Sequence, residues 1–260
     1  MKNISEFSQS IKILFTDIDD TLTDEGLLGP DAYRALWDLH KKNIHVVPVT
    51  GRPAGWCEMI ARLWPVSGVV GENGGFYFRY HKKKMHRFFY FDQDTQSQNR
   101  KKLDQIKTEI LKSVPGCDLA SDQFCRLMDL AIDFCEDVPP LPSSEIQKIV
   151  DVFKFYGAQA KISSIHVNGW FGDYDKLKMS LLFLEREFGI SSEEAKANCA
   201  FSGDSPNDEP MFEFFPNSFA VANLTNFLDR IKFKPRFIST SKGGTGFSEI
   251  ANAILKNVPL

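Results

Sequence analysis

"ILFTDIDDTLT", residues 13–23, runs four β-favouring residues directly into three acids within four positions, Asp17, Asp19 and Asp20. The wider run IKILFT, 11–16, reads as a buried strand. Like charges gathered at a strand end raise one another's pKa and repel, unless a cation collects them. In an open parallel sheet, ligands bind outside the carboxyl ends of the strands. Asp17 and Asp19 fall at that edge, two residues apart.

Outward from this stretch, strand and helix patterns alternate. A helix carrying Tyr33, Leu36, Trp37 and His40 follows, then the strand IHVVPVT (44–50). Next come a helix carrying Trp56, Met59, Ile60 and Leu63 and the strand VSGVV (66–70). That rhythm predicts parallel pairing. It returns late in the chain, with a helix over Leu177, Leu181, Leu184 and Phe188, then CAFSG, a short helix at EPMFEFF, SFAVAN, FIST and a last helix from Phe247 to Leu255. The two ends are predicted to share one sheet. Pro48 marks the second strand as short or distorted, because proline removes a ladder hydrogen bond.

The middle reads as an inserted α+β unit. HRFFYF (86–91), RLMDLAIDF (126–134) and QAKISSIHVNGW (159–170) are strand-like, and helix stripes run through Leu103, Ile106, Ile110 and Val114 and through Ile146, Ile149, Val150 and Phe153. The predicted division is a core of 1–83 and 172–260 with a cap of 84–171. RYHKKKMHR (79–87) reads as a solvated connection, and SKGGTGFSE (241–249), which lacks phosphate-loop spacing, as a plain loop before the last helix.

A second acidic cluster, SGDSPNDEPM, follows the CAFSG strand and sets Asp204 and Asp208 at the same sheet edge. Four carboxylates, Asp17, Asp19, Asp204 and Asp208, are then expected around one hard divalent cation. Magnesium fits, because it takes oxygen ligands and commonly binds through one or two carboxylates plus a phosphate. Two features predict that phosphate. VTGRP places Thr50 and the Gly51 amide at a strand end. DYDKLKM places Lys176 at a helix start behind Asp175, a predicted N-cap, and this favours Lys176 over Lys178.

Composition narrows the partners. The chain has 260 residues, 43% of them hydrophobic, and a net charge of −3, so no global basic field argues for nucleic acid or an anionic membrane. Its five cysteines show no CxxC spacing, and no stretch approaches the roughly 18 apolar residues of a membrane span. A cytoplasmic protein with reduced thiols is expected. The five histidines show no metal-ligand spacing, so zinc is not expected.

DIDDT at 17–21, TGR at 50–52, Lys176 and GDSPND at 203–208 resemble, in order, the four motifs of the haloacid dehalogenase superfamily of phosphatases. GENGG (71–75), KGGTGFSEI (242–250) and the position of the insertion resemble the subgroup with an α+β cap between the second and third motifs. The resemblance implies a Rossmann-like parallel-sheet core and Asp17 as the nucleophile that forms an aspartyl-phosphate. It implies Asp19 as general acid and base, with its backbone carbonyl on the metal, and Asp204 and Asp208 as metal residues. Thr50, Gly51, Lys176 and Asn207 would hold phosphate oxygens. Substrate choice is assigned to HVNGWFG (166–172), where Trp170 offers an apolar face beside His166 and Asn168, a combination suited to a phosphorylated sugar or glycoside. The alternatives are a phosphomutase of similar fold and a sugar-phosphate sensor without turnover.

Overall fold

The structure, a computed structural model, describes residues 1–163 and 165–258. The strands are β1 (Lys2–Asn3), β2 (Ile13–Thr16), β3 (Thr23–Asp24), β4 (Leu27–Leu28), β5 (His45–Pro48), β6 (Val69–Gly71), β7 (Phe76–His81), β8 (Lys84–Phe89), β9 (Asp118–Leu119), β10 (Leu130–Asp133), β11 (Gln159–Ile162), β12 (His166–Trp170), β13 (Cys199–Gly203), β14 (Ser218–Ala220) and β15 (Phe237–Ile238). The α-helices are α1 (Pro30–Lys41), α2 (Ala54–Leu63), α3 (Gln93–Ser113), α4 (Ser143–Phe155), α5 (Lys176–Phe188), α6 (Ser192–Asn198), α7 (Glu209–Phe214) and α8 (Gly243–Leu255).

Both ends of the chain do share one sheet. Its order is β1-β15-β14-β13-β2-β5, every pair is parallel, and a bridge from Val49 to Val70 extends it to β6. β2 lies where the chain turns first towards β5 and later, on its other side, towards β13. That is a topological switch point, where an open α/β sheet leaves a crevice. Strand residues alternate between the faces: Leu14 packs with α1, α2 and α8, whereas Ile13 and Phe15 pack with α5, α6 and α7. Being covered on both sides explains why these strands read as continuous apolar runs. No described helix is long and apolar enough to cross a membrane.

The cap is an antiparallel sheet of order β11-β12-β10-β9 with α3 and α4 on one face, where Ile106, Ile110, Ile149 and Phe153 pack on Ile132 and Val167. The opposite parity of β12, His166, Asn168 and Trp170, faces the core. The segment 159–170 is thus a pair of strands, β11 and β12, and residue 164 lies outside the described residues. The strand expected over 126–134 is only Leu130–Asp133.

Further expectations are refined. β8 pairs with β7, and β7 with β6, so HRFFYF extends a core hairpin, and a boundary at residue 84 would cut that hairpin. RYHKKKMHR is the tip of the same hairpin, turning at Lys82 and Lys83, whose φ values are 49° and 62°. On α2, Trp56, Met59 and Leu63 are exposed, while Ala54, Cys57, Ile60 and Ala61 are buried. Small side chains let that helix approach the sheet closely, so its inner face carries little of the apolar bulk that pattern reading weighs. Finally, the glycines of SKGGTGFSE form the first turn of α8 rather than a loop before it.

Candidate active site

β13 and β2 lie side by side with Ser202 opposite Thr16, so the residues that follow them emerge together. The Asp17 amide donates to the Ser202 carbonyl at 2.9 Å. Asp204 leaves the adjacent strand end, where its carboxylate accepts from the Thr21 hydroxyl at 3.2 Å. Asp208 sits beneath, fully buried, and accepts from the Asp204 amide at 3.1 Å. It fits only because residue 203 is glycine, since a Cβ there would lie 2.3 Å from Asp208 Oδ2. Gly203→Ala is therefore expected to cost about 1–3 kcal/mol, read as a fall in melting temperature by calorimetry.

Lys176 opens α5, which Asp175 caps as expected by accepting from the Lys178 amide at 2.7 Å. Its ammonium reaches Asp17 at 2.9 Å and Asp208 at 3.0 Å. Lys178 instead pairs with the exposed Asp173, so Lys176 is the lysine that meets these carboxylates. Burial pushes the Asp17 carboxyl up to about 7, with Asp208 and Asp19 adding and Lys176 opposing. Burial likewise raises Asp204 well above the carboxylate range, reinforced by Asp208 and Asp17. Burial would lower Lys176, but Asp17 and Asp208 outweigh it and hold the ammonium charged.

One buried ammonium thus faces Asp17, Asp204 and Asp208, whose oxygens lie within 4.8 Å of one another. An all-oxygen donor set with excess negative charge fits a hard divalent cation such as magnesium. The expected fourth side chain does not join it. Asp19 turns to Arg52, which grips it through Nε at 3.0 Å and Nη2 at 2.8 Å.

Above these groups lies a cavity of about 550 Å³, lined by Asp17, Asp19, Gly51, Lys176, Asp204 and Asn207 on the core side and by His166 and Asn168 on the cap side. Thr50 is buried behind this surface, its hydroxyl accepting from the Arg52 amide at 3.0 Å. The Asn207 amide donates to the Ile162 carbonyl of the cap at 3.2 Å, so in this state it bridges core and cap. Asn168 donates to Asp129 at 3.0 Å, and His166 Nε2 stands 2.9 Å from Glu136. Trp170 is different: it is buried outside the cavity, stacked on Tyr174 with ring centroids 5.7 Å apart, and so packs the hinge. As a face for sugar it is withdrawn.

Pattern reading left Arg52, Glu72, Asn73 and Arg126 without roles. Arg52 stood in plain view beside Thr50 and Gly51, and its strand-end position was the available signal. Glu72 meets the Leu127 amide, and Arg126 the Gly51 carbonyl, across more than fifty residues of sequence, and local patterns carry no signal of either pairing.

Residues 14–113 match the family described as haloacid dehalogenase-like hydrolase. The family signature thus covers the first β-α-β-α-β part of the core and the first helix of the cap, and the fold is shared more widely. The Thermoplasma acidophilum protein 0175 is similar over 95% of this chain and 99% of its own, at 18% identity and a TM-score of 0.74. A haloacid dehalogenase-like hydrolase from Bacteroides thetaiotaomicron covers 94% of this chain and 100% of its own, at 16% identity and a TM-score of 0.70. The sucrose-phosphatase of Synechocystis sp. PCC6803, in complex with sucrose and phosphate, covers 94% and 98%, at 18% identity and a TM-score of 0.64. No curated protein sequence matches the chain. Like these structures, the chain carries a Rossmann-like core and a cap.

Proposed function

We propose that this hydrolase is a magnesium-dependent, cytoplasmic phosphatase that cleaves a phosphomonoester of a sugar or glycoside through an aspartyl-phosphate. The observation that carries the reading is the Asp17 carboxylate, held 2.9 Å from a buried lysine at a strand end, beside two further acids and beneath a capped cavity. A bound magnesium ion, held by Asp17, Asp204, Asp208 and the Asp19 carbonyl, would offset the repulsion between carboxylate and phosphate.

The protein's own groups do the rest. An Asp17 oxygen attacks phosphorus while the bond to the sugar oxygen breaks, and Asp19 delivers a proton to that oxygen. Asp19 then takes a proton from water, whose oxygen attacks phosphorus and releases Asp17 and inorganic phosphate. The Arg52 fork keeps Asp19 oriented between the two steps. Lys176, the Gly51 amide, Thr50 and Asn207 are assigned to the phosphate oxygens as charge shifts in the transition state. Asn207 must leave the Ile162 carbonyl to do so.

The sugar assignment is supported by the hydroxyl-binding character of His166 and Asn168 and by the size of the cavity. The Synechocystis sucrose-phosphatase, in complex with sucrose and phosphate, points the same way. In place of 84–171 we assign the cap to 90–171, its first boundary moved past the β7–β8 hairpin. A panel of phosphorylated sugars, read by free phosphate with magnesium and with a chelator, tests the reading. Release that is metal-independent, or absent across the panel, counts against it.

A further inference from the structure

Core and cap meet in a second set of contacts that the chemistry above does not use. Glu72, fully buried after β6, accepts from the cap amides of Leu127 at 2.9 Å, Met128 at 2.5 Å and Asp129 at 3.1 Å, and from the Ala54 amide that opens α2 at 2.9 Å. One core carboxylate therefore anchors three successive residues of the cap. Arg126, adjacent to them and also buried, is held by Asp122 at 2.7 and 3.0 Å and by Asp129 at 3.2 Å. Its Nη1 also crosses to the core and donates to the Gly51 carbonyl at 3.0 Å.

Asn73 packs against Gly51 from another side, its amide 3.3 Å from where a Cβ of Gly51 would stand. Glu72 and Asn73 have φ values of 44° and 56°, a region L-residues adopt rarely and keep when surrounding contacts over-determine it. Here the turn aims one side chain at the cap and the next at the phosphate loop. Its backbone is tied to that loop as well, with Glu72 N on Arg52 O at 3.2 Å and Asn73 N on Thr50 O at 3.1 Å.

The geometry points to Arg126 as a positioning residue for phosphate binding, a cap side chain that fixes the loop 50–52 in the core. This rests on the reading that the Gly51 amide takes the phosphate. Glycine has the freest backbone of any residue, so a loop built on Gly51 must be held from outside to present its amide in one direction. Ion pairing with Asp122 and Asp129 alone would need no reach to Gly51. The guanidinium has donors enough for both tasks, and the Glu72 anchor keeps the segment from drifting away.

Two variants separate positioning from stability. Arg126→Lys keeps a cation for the acids but cannot span Asp122, Asp129 and Gly51 together. Asp122→Asn weakens the same ion pair and leaves the Gly51 bond in place. With magnesium and para-nitrophenyl phosphate, Arg126→Lys is expected to raise both KM and the inhibition constant for inorganic phosphate about tenfold, with kcat changed less than about threefold. Asp122→Asn should stay within about twofold on both constants despite a comparable fall in melting temperature. Equal weakening in both variants, or none in Arg126→Lys, overturns the inference. If the unmodified protein releases phosphate from neither the aryl ester nor the sugar panel, the phosphatase reading itself fails. The same comparison is then read from calorimetric titration with inorganic phosphate and magnesium, under the same two outcomes.

Discussion

Asp17→Asn is expected to lower kcat for phosphate release by at least about 10⁴-fold while the protein still folds. Asparagine keeps the shape of the side chain and an oxygen to accept from Lys176, so the 2.9 Å contact has a substitute. What it loses is the nucleophile. The neutral amide also relieves a buried carboxyl whose pKa stands at about 7, so the variant should melt no lower than the unmodified protein in metal-free buffer at pH 8. Phosphate release and thermal melting, run side by side, check both halves. A variant retaining more than about 1% of turnover would place the nucleophile elsewhere.

Metal removal gives the second large effect, and its pH dependence has a definite sign. Asp17 is raised by burial, by Asp208 and by Asp19 against the pull of Lys176, and Asp204 is raised by burial, by Asp208 and by Asp17. A carboxyl whose folded pKa exceeds its unfolded value stabilises the fold at pH below the unfolded pKa. That contribution is lost as pH rises through the folded value. Chelated protein should therefore lose melting temperature between about pH 4 and pH 7. Magnesium at about 100 times its dissociation constant adds about 2.7 kcal/mol, which for a chain of this size is roughly 5–10 °C. The gain should be larger at pH 8 than at pH 5.5, where protonated acids compete with the ion. Activity should vanish with the chelator and return with magnesium. Identical melting curves at pH 8 with and without magnesium would remove the cation from the account.

Chemistry at the strand ends was visible in sequence because it depends on residues next to buried strands. β2 and β13 are continuous apolar runs, so the acids that follow them stand out, and Lys176 stands out behind its Asp175 cap. Three of the four expected carboxylates converge. Asp19 departs because Arg52, two residues after Thr50, offers a fork that matches a carboxylate in plane. Elsewhere the signal was ambiguous in kind. Trp170 shares its strand face with His166 and Asn168, and alternation alone says only that all three face the core. Whether a ring meets ligand or another ring depends on Tyr174, across the turn. Glu72 was unreadable for a simpler reason: its partners are backbone amides, which have no letter in the sequence.

The hinge carries one more implication. Gly172 lies against the Phe91 ring, and the Tyr90 hydroxyl donates to Asp173 at 2.7 Å, so the chain leaves the core and re-enters it at one spot. An insertion whose two roots touch asks nothing of the sheet below. Its length and internal architecture can vary while the strand register beneath stays as it is, provided the ties from Glu72 and Arg126 are kept.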